Sequence, residues 1–262
     1  MCFMQSKSLE DEIKMLFVDP FNRPKKKPMH ETVIQIALEE MYDHKQISYV
    51  LRQLVARKFL GSIRLKISKV GYARFFFIKT NSPEKNKGEL RKKILRYSYW
   101  IQRYSNQSIT KMIGNHLHAL VRAELRAQGF EIVSEFSNKY DGKKWPGKET
   151  LDIIAEHRNN QLAIGLEIKN MLSLISNVEV STKIEMCNFF GIKPVFACRW
   201  IEPYRQIITQ NGGFVWQFKK QFYPLGQEKF VKELRKRFNF PIEVRSEIPL
   251  NNVMEFQKWI RI

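Results

Sequence analysis

The chain has 262 residues, 44% of them hydrophobic and 27% charged, which excludes a disordered chain and is enough for one good core or two smaller ones. Lysine and arginine outnumber aspartate and glutamate by 45 to 26, a formal net charge of +19. A surplus of that size points to a polyanionic partner, with nucleic acid first in line. The three cysteines, Cys2, Cys187 and Cys198, show no C-x-x-C spacing, which argues against a disulfide scaffold or a zinc knuckle and suits a reducing compartment. No apolar run is long enough to span a bilayer, and the first residues lack the basic-then-apolar order of a signal peptide. The expectation is a cytoplasmic protein, nucleoid-associated at most, with no membrane partner.

In chain order, residues 8–18 read as a short helix ended by Asp19-Pro20. A basic, proline-punctuated connector follows from Phe21 to Pro28, either an arm over a phosphate backbone or a solvated linker. Helical spacing then runs from Glu31 to Tyr42, with Val33, Ile36, Ala37 and Met41 in one stripe, and His44-Lys45 breaks it. A second helix spans Ile47–Leu60. It turns Ile47, Val50, Leu51, Leu54, Val55 and Phe59 inward and Arg52, Arg57 and Lys58 outward. Alternation over Ile63–Ser68, a turn at Lys69-Val-Gly71 and a strand over Tyr72–Lys79 make a hairpin. This order resembles a winged helix-turn-helix, an α+β DNA-binding domain over 29–80. The resemblance implies that the second helix enters the major groove and that Arg64, Lys66 and Lys69 of the wing face phosphates. The competing reading is a module that binds protein or dimerises.

Asn81–Gly88 is polar, carries proline and glycine, and is the expected inter-domain break. Leu90–Ser105 reads as a helix mixing Arg91, Lys92, Lys93, Arg96 and Arg103 with Tyr97, Tyr99, Trp100 and Tyr104. These either grip a nucleic-acid strand or pack one domain on another. The expected division is therefore a helix and connector over 1–28, the winged-helix-like domain over 29–80, a linker and basic-aromatic helix over 81–107, and a second domain over 108–262. In that last part Gly114–Gln128 is a helix stopped by Gly129, and Phe130–Val133 is a strand. A polar loop covers Ser137–Lys148, and a hairpin is formed by Glu149–Ala155 and Leu162–Asn170. Then follow a helix over Val178–Phe190, strands over Val195–Trp200 and Gly213–Phe218, and a helix over Glu228–Phe238. Helix, three strands, helix, strand is α/β layering with a mixed sheet.

The hairpin carries the chemistry. By the two-residue period of a strand, Leu162, Ile164, Leu166 and Ile168 share one face, and Ala163, Gly165, Glu167 and Lys169 share the other. A turn near Asn159-Asn160 brings Asp152 within reach across the pair. Two carboxylates suit a hard divalent ion such as Mg2+, which acidifies a bound water and screens charge on a phosphate. Lys169 is placed to orient that water or to stabilise the pentavalent centre. Of the other acid-x-Lys triplets, Glu12-Ile-Lys14 and Asp141-Gly-Lys143 read as solvated pairs because neither ends an apolar strand.

The set Asp152…Glu167-Ile-Lys169 resembles the PD-(D/E)xK nuclease superfamily. Residues 114–262 are most similar to its archaeal Holliday junction resolvase and restriction-endonuclease-like branch, through the spacing Gly114, His118, Val121, Leu125, Gly129-Phe130, the hairpin, and Gly191–Arg199. The resemblance implies a restriction-endonuclease-like core with a mixed sheet flanked by helices. It implies Mg2+, with Mn2+ as a substitute, held by Asp152, Glu167 and the backbone carbonyl of Ile168. It also implies in-line attack by water, 5′-phosphate products, and pairing of two copies. Leu151 stands where the family usually has proline, and His118 where its first helix usually offers a glutamate. His118 is either a metal or water ligand or a histidine packed under the loop. Glu124 and Glu149 are the substitutes for a third acid. Lys183 is the accessory candidate for the scissile phosphate, against a surface pairing with Glu185. Arg199 and Trp200 either line the cleft or cap the core, and Phe214–Tyr223 either forms a homodimer interface or completes the core. The expected function is a metal-dependent DNA endonuclease. The alternatives are an inert nuclease fold that only binds DNA and, last, an RNA-associated scaffold, for which no RNA-reading motif is found.

Overall fold

The computed structural model describes residues 8–21, 23–25, 27–67, 71–79 and 84–261, without the side chains of 84–87. Lys69 and residues 81–83 of the expected break lie outside these residues. The chain forms two compact units, one of residues up to Thr110 with Glu233–Phe240, the other of Lys111–Lys232 with Pro241–Ile262.

In the first unit Ser8 caps α1 (Leu9–Leu16) by accepting from the Asp11 N–H. This helix does not stand apart with the connector as a 1–28 segment. Ile13 and Phe17 are fully buried in one core with Ile34, Ile47, Leu51 and Leu54, because an apolar stripe on so short a helix needs a partner to cover it. β1 (Met29–His30) runs straight into α2 (Glu31–Leu38), which ends short of Tyr42. Asp43 starts the next helix early. It caps α3 (His44–Ala56) in a capping box with Gln46, so His44-Lys45 is a first turn and not a break. β2 (Leu60–Lys66) and β3 (Tyr72–Ile78) form the expected hairpin, and β1 joins the other edge of β3. α4 (Glu84–Tyr104) already begins inside the expected break, with Gly88 within it. Its aromatics divide. Tyr97 packs on Phe238 at 5.4 Å and Tyr104 on Phe240 at 5.7 Å between ring centres, whereas Tyr99 is exposed.

The second unit is built on α5 (Gln107–Ala127), whose buried stripe is Ile113, Leu117, Val121 and Leu125. Gly129, at φ +85°, ends it in the left-handed conformation that glycine tolerates. Next come β4 (Phe130–Ser137), a two-rung ladder of β5 (Lys139–Tyr140) and β6 (Lys143–Lys144), β7 (Leu151–His157) and β8 (Ala163–Lys169). α6 (Asn177–Phe190) is capped by Ser176 and closed by Gly191. β9 (Lys193–Cys198), a short 3₁₀ turn, α7 (Arg205–Gln210), β10 (Phe214–Gln217) and β11 (Gln221–Tyr223) follow. α8 (Glu228–Phe238), β12 (Ile242–Val244) and α9 (Leu250–Ile260) complete the chain.

The architecture is mixed α/β. The central sheet has the order β10-β9-β8-β7-β4, antiparallel from β4 to β8 and parallel from β8 to β10. A parallel step needs a crossover, and α6 provides it between β8 and β9. The edge strand β4 carries a bulge between Ile132 and Ser134. Helices cover both faces. α5 and α9 pack on Ile153, Leu166 and Trp216, while α6 and α7 pack on Phe196, Cys198 and Val215 and, nearer β7, on Leu151 and Ile154. Trp216, Phe222 and Tyr223 are fully buried, so the aromatic segment 214–223 completes the core. Arg199 and Trp200 are buried as well, and Arg199 Nη2 donates to the Leu172 carbonyl at 2.8 Å. No described helix is long and apolar enough to cross a membrane.

Candidate active site

Register assembles the acids. Ile153 lies opposite Leu166 and Ile154 opposite Gly165, so the next step along the ladder sets Asp152 across from Glu167. Glu167 and Lys169 project from the face of β8 that α6 covers, beside Gly165. A Cβ at Gly165 would stand 2.7 Å from Cys187 Sγ and 2.8 Å from Leu151 Cδ1. The bare glycine therefore lets α6 lie close over β8, and that closeness brings Glu179 and Lys183 of the helix to the strand.

Glu167 is 2% exposed, because β8 is central and covered on both faces. Its Oε1 meets Lys169 Nζ at 2.7 Å. Its Oε2 meets Lys183 Nζ at 2.6 Å, an ion contact whose angle is too poor for a hydrogen bond. Lys169 also reaches Glu179 Oε1 at 2.8 Å, and Lys183 also donates to the Thr150 carbonyl. Charges thus alternate along Glu179, Lys169, Glu167 and Lys183. Asp152 Oδ2 accepts from the Ile168 N–H at 2.7 Å, and its Oδ1 makes no hydrogen bond among the described residues. In an extended strand the N–H and C=O of one residue point the same way, so the Ile168 carbonyl also faces the side of β7.

Burial, and after it the Asp152 carboxylate, pushes Glu167 above the ordinary carboxylate range against the pull of Lys183 and Lys169. Burial works against the charge on Lys169 too, but Glu167 and Glu179 outweigh it and hold the ammonium above the ordinary lysine range. Lys169 is therefore a fixed cation near neutral pH and not an available base. Of these five groups, three are carboxylates and two are ammonium groups, which leaves one negative charge. Two carboxylates from neighbouring strands and a backbone oxygen form an all-oxygen set of the kind hard divalent cations take.

The remaining expected residues are placed as follows. His118 stacks on Phe136 at 5.1 Å with 16° between the rings, and its Nε2 is buried without a hydrogen-bond partner. Among the described residues no three His, Cys, Asp or Glu side chains converge as a metal-ligating group. His118, Glu124 and Glu149 are thus not gathered with Asp152 and Glu167. Glu124 accepts from Gln128 at 2.6 Å. Glu149 accepts from the Trp145 indole at 3.2 Å, and its own backbone N–H and that indole hold it below the ordinary carboxylate range. Lys183 does not form a surface pair with Glu185; it is buried on Glu167. Lys14 pairs with Glu10, and not with Glu12. In the first unit Arg52, Lys58 and Lys66 are exposed. Arg57 pairs with Glu10 at 2.8 Å, and Arg64 lies 3.9 Å over the Tyr72 ring.

Two contributors are absent from the sequence expectation. Glu179 stands three residues after the Ser176 cap, a spacing that signals a helix start, but its side chain turns to Lys169. Asn170 pins the end of β8: its Nδ2 donates to the carbonyls of Ile113 at 2.6 Å and Phe222 at 2.7 Å, and its Oδ1 accepts from the Phe222 N–H at 2.9 Å. The signal for it was a polar amide directly after an apolar strand. Comparison of the chain with protein-family models, with curated proteins and with solved structures finds no match.

Proposed function

We propose that the chain is a metal-dependent DNA endonuclease of the PD-(D/E)xK kind. One observation carries the reading: Asp152 accepts from the Ile168 N–H at 2.7 Å, next to Glu167, and Lys169 projects two residues on from Glu167 on the same face and pairs with it. The order α5, three antiparallel strands, α6 and the parallel strand β9 supports a restriction-endonuclease-like core. In the first unit the order α1, β1, α2, α3, β2, β3, with β1 paired to β3, supports a winged-helix domain that positions DNA. Arg52, Lys58 and Lys66 are exposed and, among the described residues, without an ion pair, so they are its cations for phosphate, while Arg57 must exchange Glu10 for it.

Asp152, Glu167 and the Ile168 carbonyl would hold Mg2+, or Mn2+ in its place, and the bound ion supplies an acidified water and a counter-charge for the phosphate. Asp152 is already oriented by the Ile168 N–H. Glu167, now matched by Lys169 and Lys183, would have to give up one of these lysines to help hold the ion. Lys169 keeps its proton and its second hold on Glu179, so it donates toward the attacking water or a phosphate oxygen and does not abstract a proton. Lys183 is the further cation at Glu167. The test is cleavage of plasmid, forked and single-stranded DNA in Mg2+ by the wild type, Asp152→Ala and Lys169→Ala. The expected result is cleavage by the wild type and a loss of at least about 10²-fold in each variant. If every substrate stays intact with all three proteins, the enzyme reading is wrong.

A second reading has its own observation: both Glu167 oxygens are already matched by lysines. The fold would then bind DNA without cutting it, and Glu167→Ala would keep or raise DNA affinity with no heat of Mg2+ binding. A Mg2+-dependent nick that vanishes in Glu167→Ala eliminates this reading.

A further inference from the structure

The ladder of β5 and β6 sits in the chain just before Asp152 and has no part in the site described above. Its turn, Asp141-Gly142, has φ +46° and +70°, the left-handed pair that a two-residue hairpin turn requires. Two aromatic anchors fasten it. The Tyr140 hydroxyl donates to Glu156 Oε1 at 2.7 Å, and its ring meets Phe190. The Trp145 backbone N–H donates to the Asn138 carbonyl at 2.8 Å, and its ring meets Phe189 of α6 edge-on. Both rings pack on the cluster of Leu151, Ile154, Met186 and Phe190.

What this anchored hairpin presents is charge. Lys139, Lys143, Lys144 and Lys148 are all exposed, and none of the four ammonium groups has an ion pair or hydrogen bond among the described residues. Lys139 lies directly opposite Lys144 in the ladder. Like charges facing each other across a strand pair cost stability. Nothing within the described residues offsets the cost: Glu149 is engaged by Trp145, Glu156 by Tyr140, and Asp141 pairs with none of the four. A local rule broken on a well-anchored element marks a place shaped for something outside the chain.

We infer that the 137–149 hairpin is a clamp for the phosphate backbone of DNA flanking the reacting phosphate. Lys148 is four residues from Asp152, a reach of at most about 14 Å of extended chain. One strand of a duplex presents a phosphate every ~3.4 Å of helix axis, so several neighbours of the phosphate at Asp152 fall within that reach. The assignment rests on the nuclease reading for the place of the reacting phosphate. Its test is a binding measurement and does not need cleavage.

The experiment is fluorescence anisotropy of a labelled duplex with the full chain in EDTA, over a series of salt concentrations. It compares the wild type with a protein in which Lys139, Lys143, Lys144 and Lys148 are all glutamine, and with one in which all four are arginine. Every phosphate that the protein no longer neutralises lowers the slope of log K against log salt by about 0.9, so the glutamine protein, with four lysines removed, is expected to fall by about 3.6 in slope and by at least about tenfold in affinity near 0.15 M salt. The arginine protein is expected to retain both. An unchanged slope in the glutamine protein overturns the clamp and leaves the nuclease reading standing. A lysine-dependent slope seen with structured RNA and not with duplex DNA overturns the DNA assignment. A wild type that binds no DNA at any salt overturns both readings, and a clamp confirmed in a protein that cuts nothing overturns the nuclease reading alone.

Discussion

Glu167 is buried and His30 half-buried, and each meets the loss of water differently. Glu167 stays in a chain of alternating charges, where removing one partner of a buried pair costs about 3–5 kcal/mol. His30 gives up its charge: burial lowers its pKa to about 4, its ring stands edge-on to Phe75, and Nδ1 accepts the Thr32 N–H as the cap of α2. The sign of the linkage follows. The unfolded chain takes up the proton near pH 6.5 and the folded one only near 4, so stability is complete above 6.5 and is lost as the pH falls toward 4. Between pH 7 and 4.5 this amounts to about 2–3 kcal/mol. His30→Asn keeps a capping oxygen and does not titrate. In urea unfolding at the two pH values the wild type should lose that amount more than the variant; equal losses would show that His30 is charged in the fold. At this scale the sequence brought Asp152, Glu167 and Lys169 together, because strand phase decides which side chains share a face and the turn between β7 and β8 sets the two strands side by side. It concealed Glu179 and the inward turn of Lys183, because these depend on how closely a helix lies over a strand, which no local pattern encodes.

The packing of α6 on β8 governs the site at the level of elements. Gly165→Ala introduces a methyl group that collides with Cys187 and Leu151, and overpacking of this kind costs about 1–3 kcal/mol. It should lift α6 and with it Glu179 and Lys183, so the proposed DNA cleavage should fall together with stability. Adding Cys187→Ala removes one of the colliding atoms and should recover part of both, measured as a coupling of about 1 kcal/mol in a double-mutant cycle. Strict additivity would mean that the glycine is not there for the close approach. The elements themselves were legible where period and caps agreed, as in α5 and in the β7–β8 hairpin. Asp43 shows the opposite case, since a cap of one residue moved a helix start that the apolar pattern placed three residues later. α7, β11, β12 and α9 escaped notice because three- to six-residue pieces carry no readable period, and the stripe of α9 is interrupted by Asn252, which is buried and bonded to the Gln217 carbonyl.

For the whole chain, the division into units does not follow sequence order: Glu233–Phe240 returns to the first unit, where Phe238 and Phe240 meet Tyr97 and Tyr104. Phe238→Ala should therefore destabilise the first unit by about 3–4 kcal/mol. Hydrogen exchange should show protection falling in β2 and β3 while the amides of β7 and β8 hold; equal loss in both units would mean that they unfold as one. The bulge in β4 has a consequence for how copies of the chain behave in concentrated solution. It kinks one rim of the central sheet, where Glu131 and Glu135 add charge, and the other rim is the four-residue β10, followed after Phe218 by Lys219 and Lys220. Neither rim offers a long, straight, neutral ladder for a neighbour's backbone to continue. Growth of the central sheet from molecule to molecule, the first step toward fibrils, is disfavoured at both of its rims.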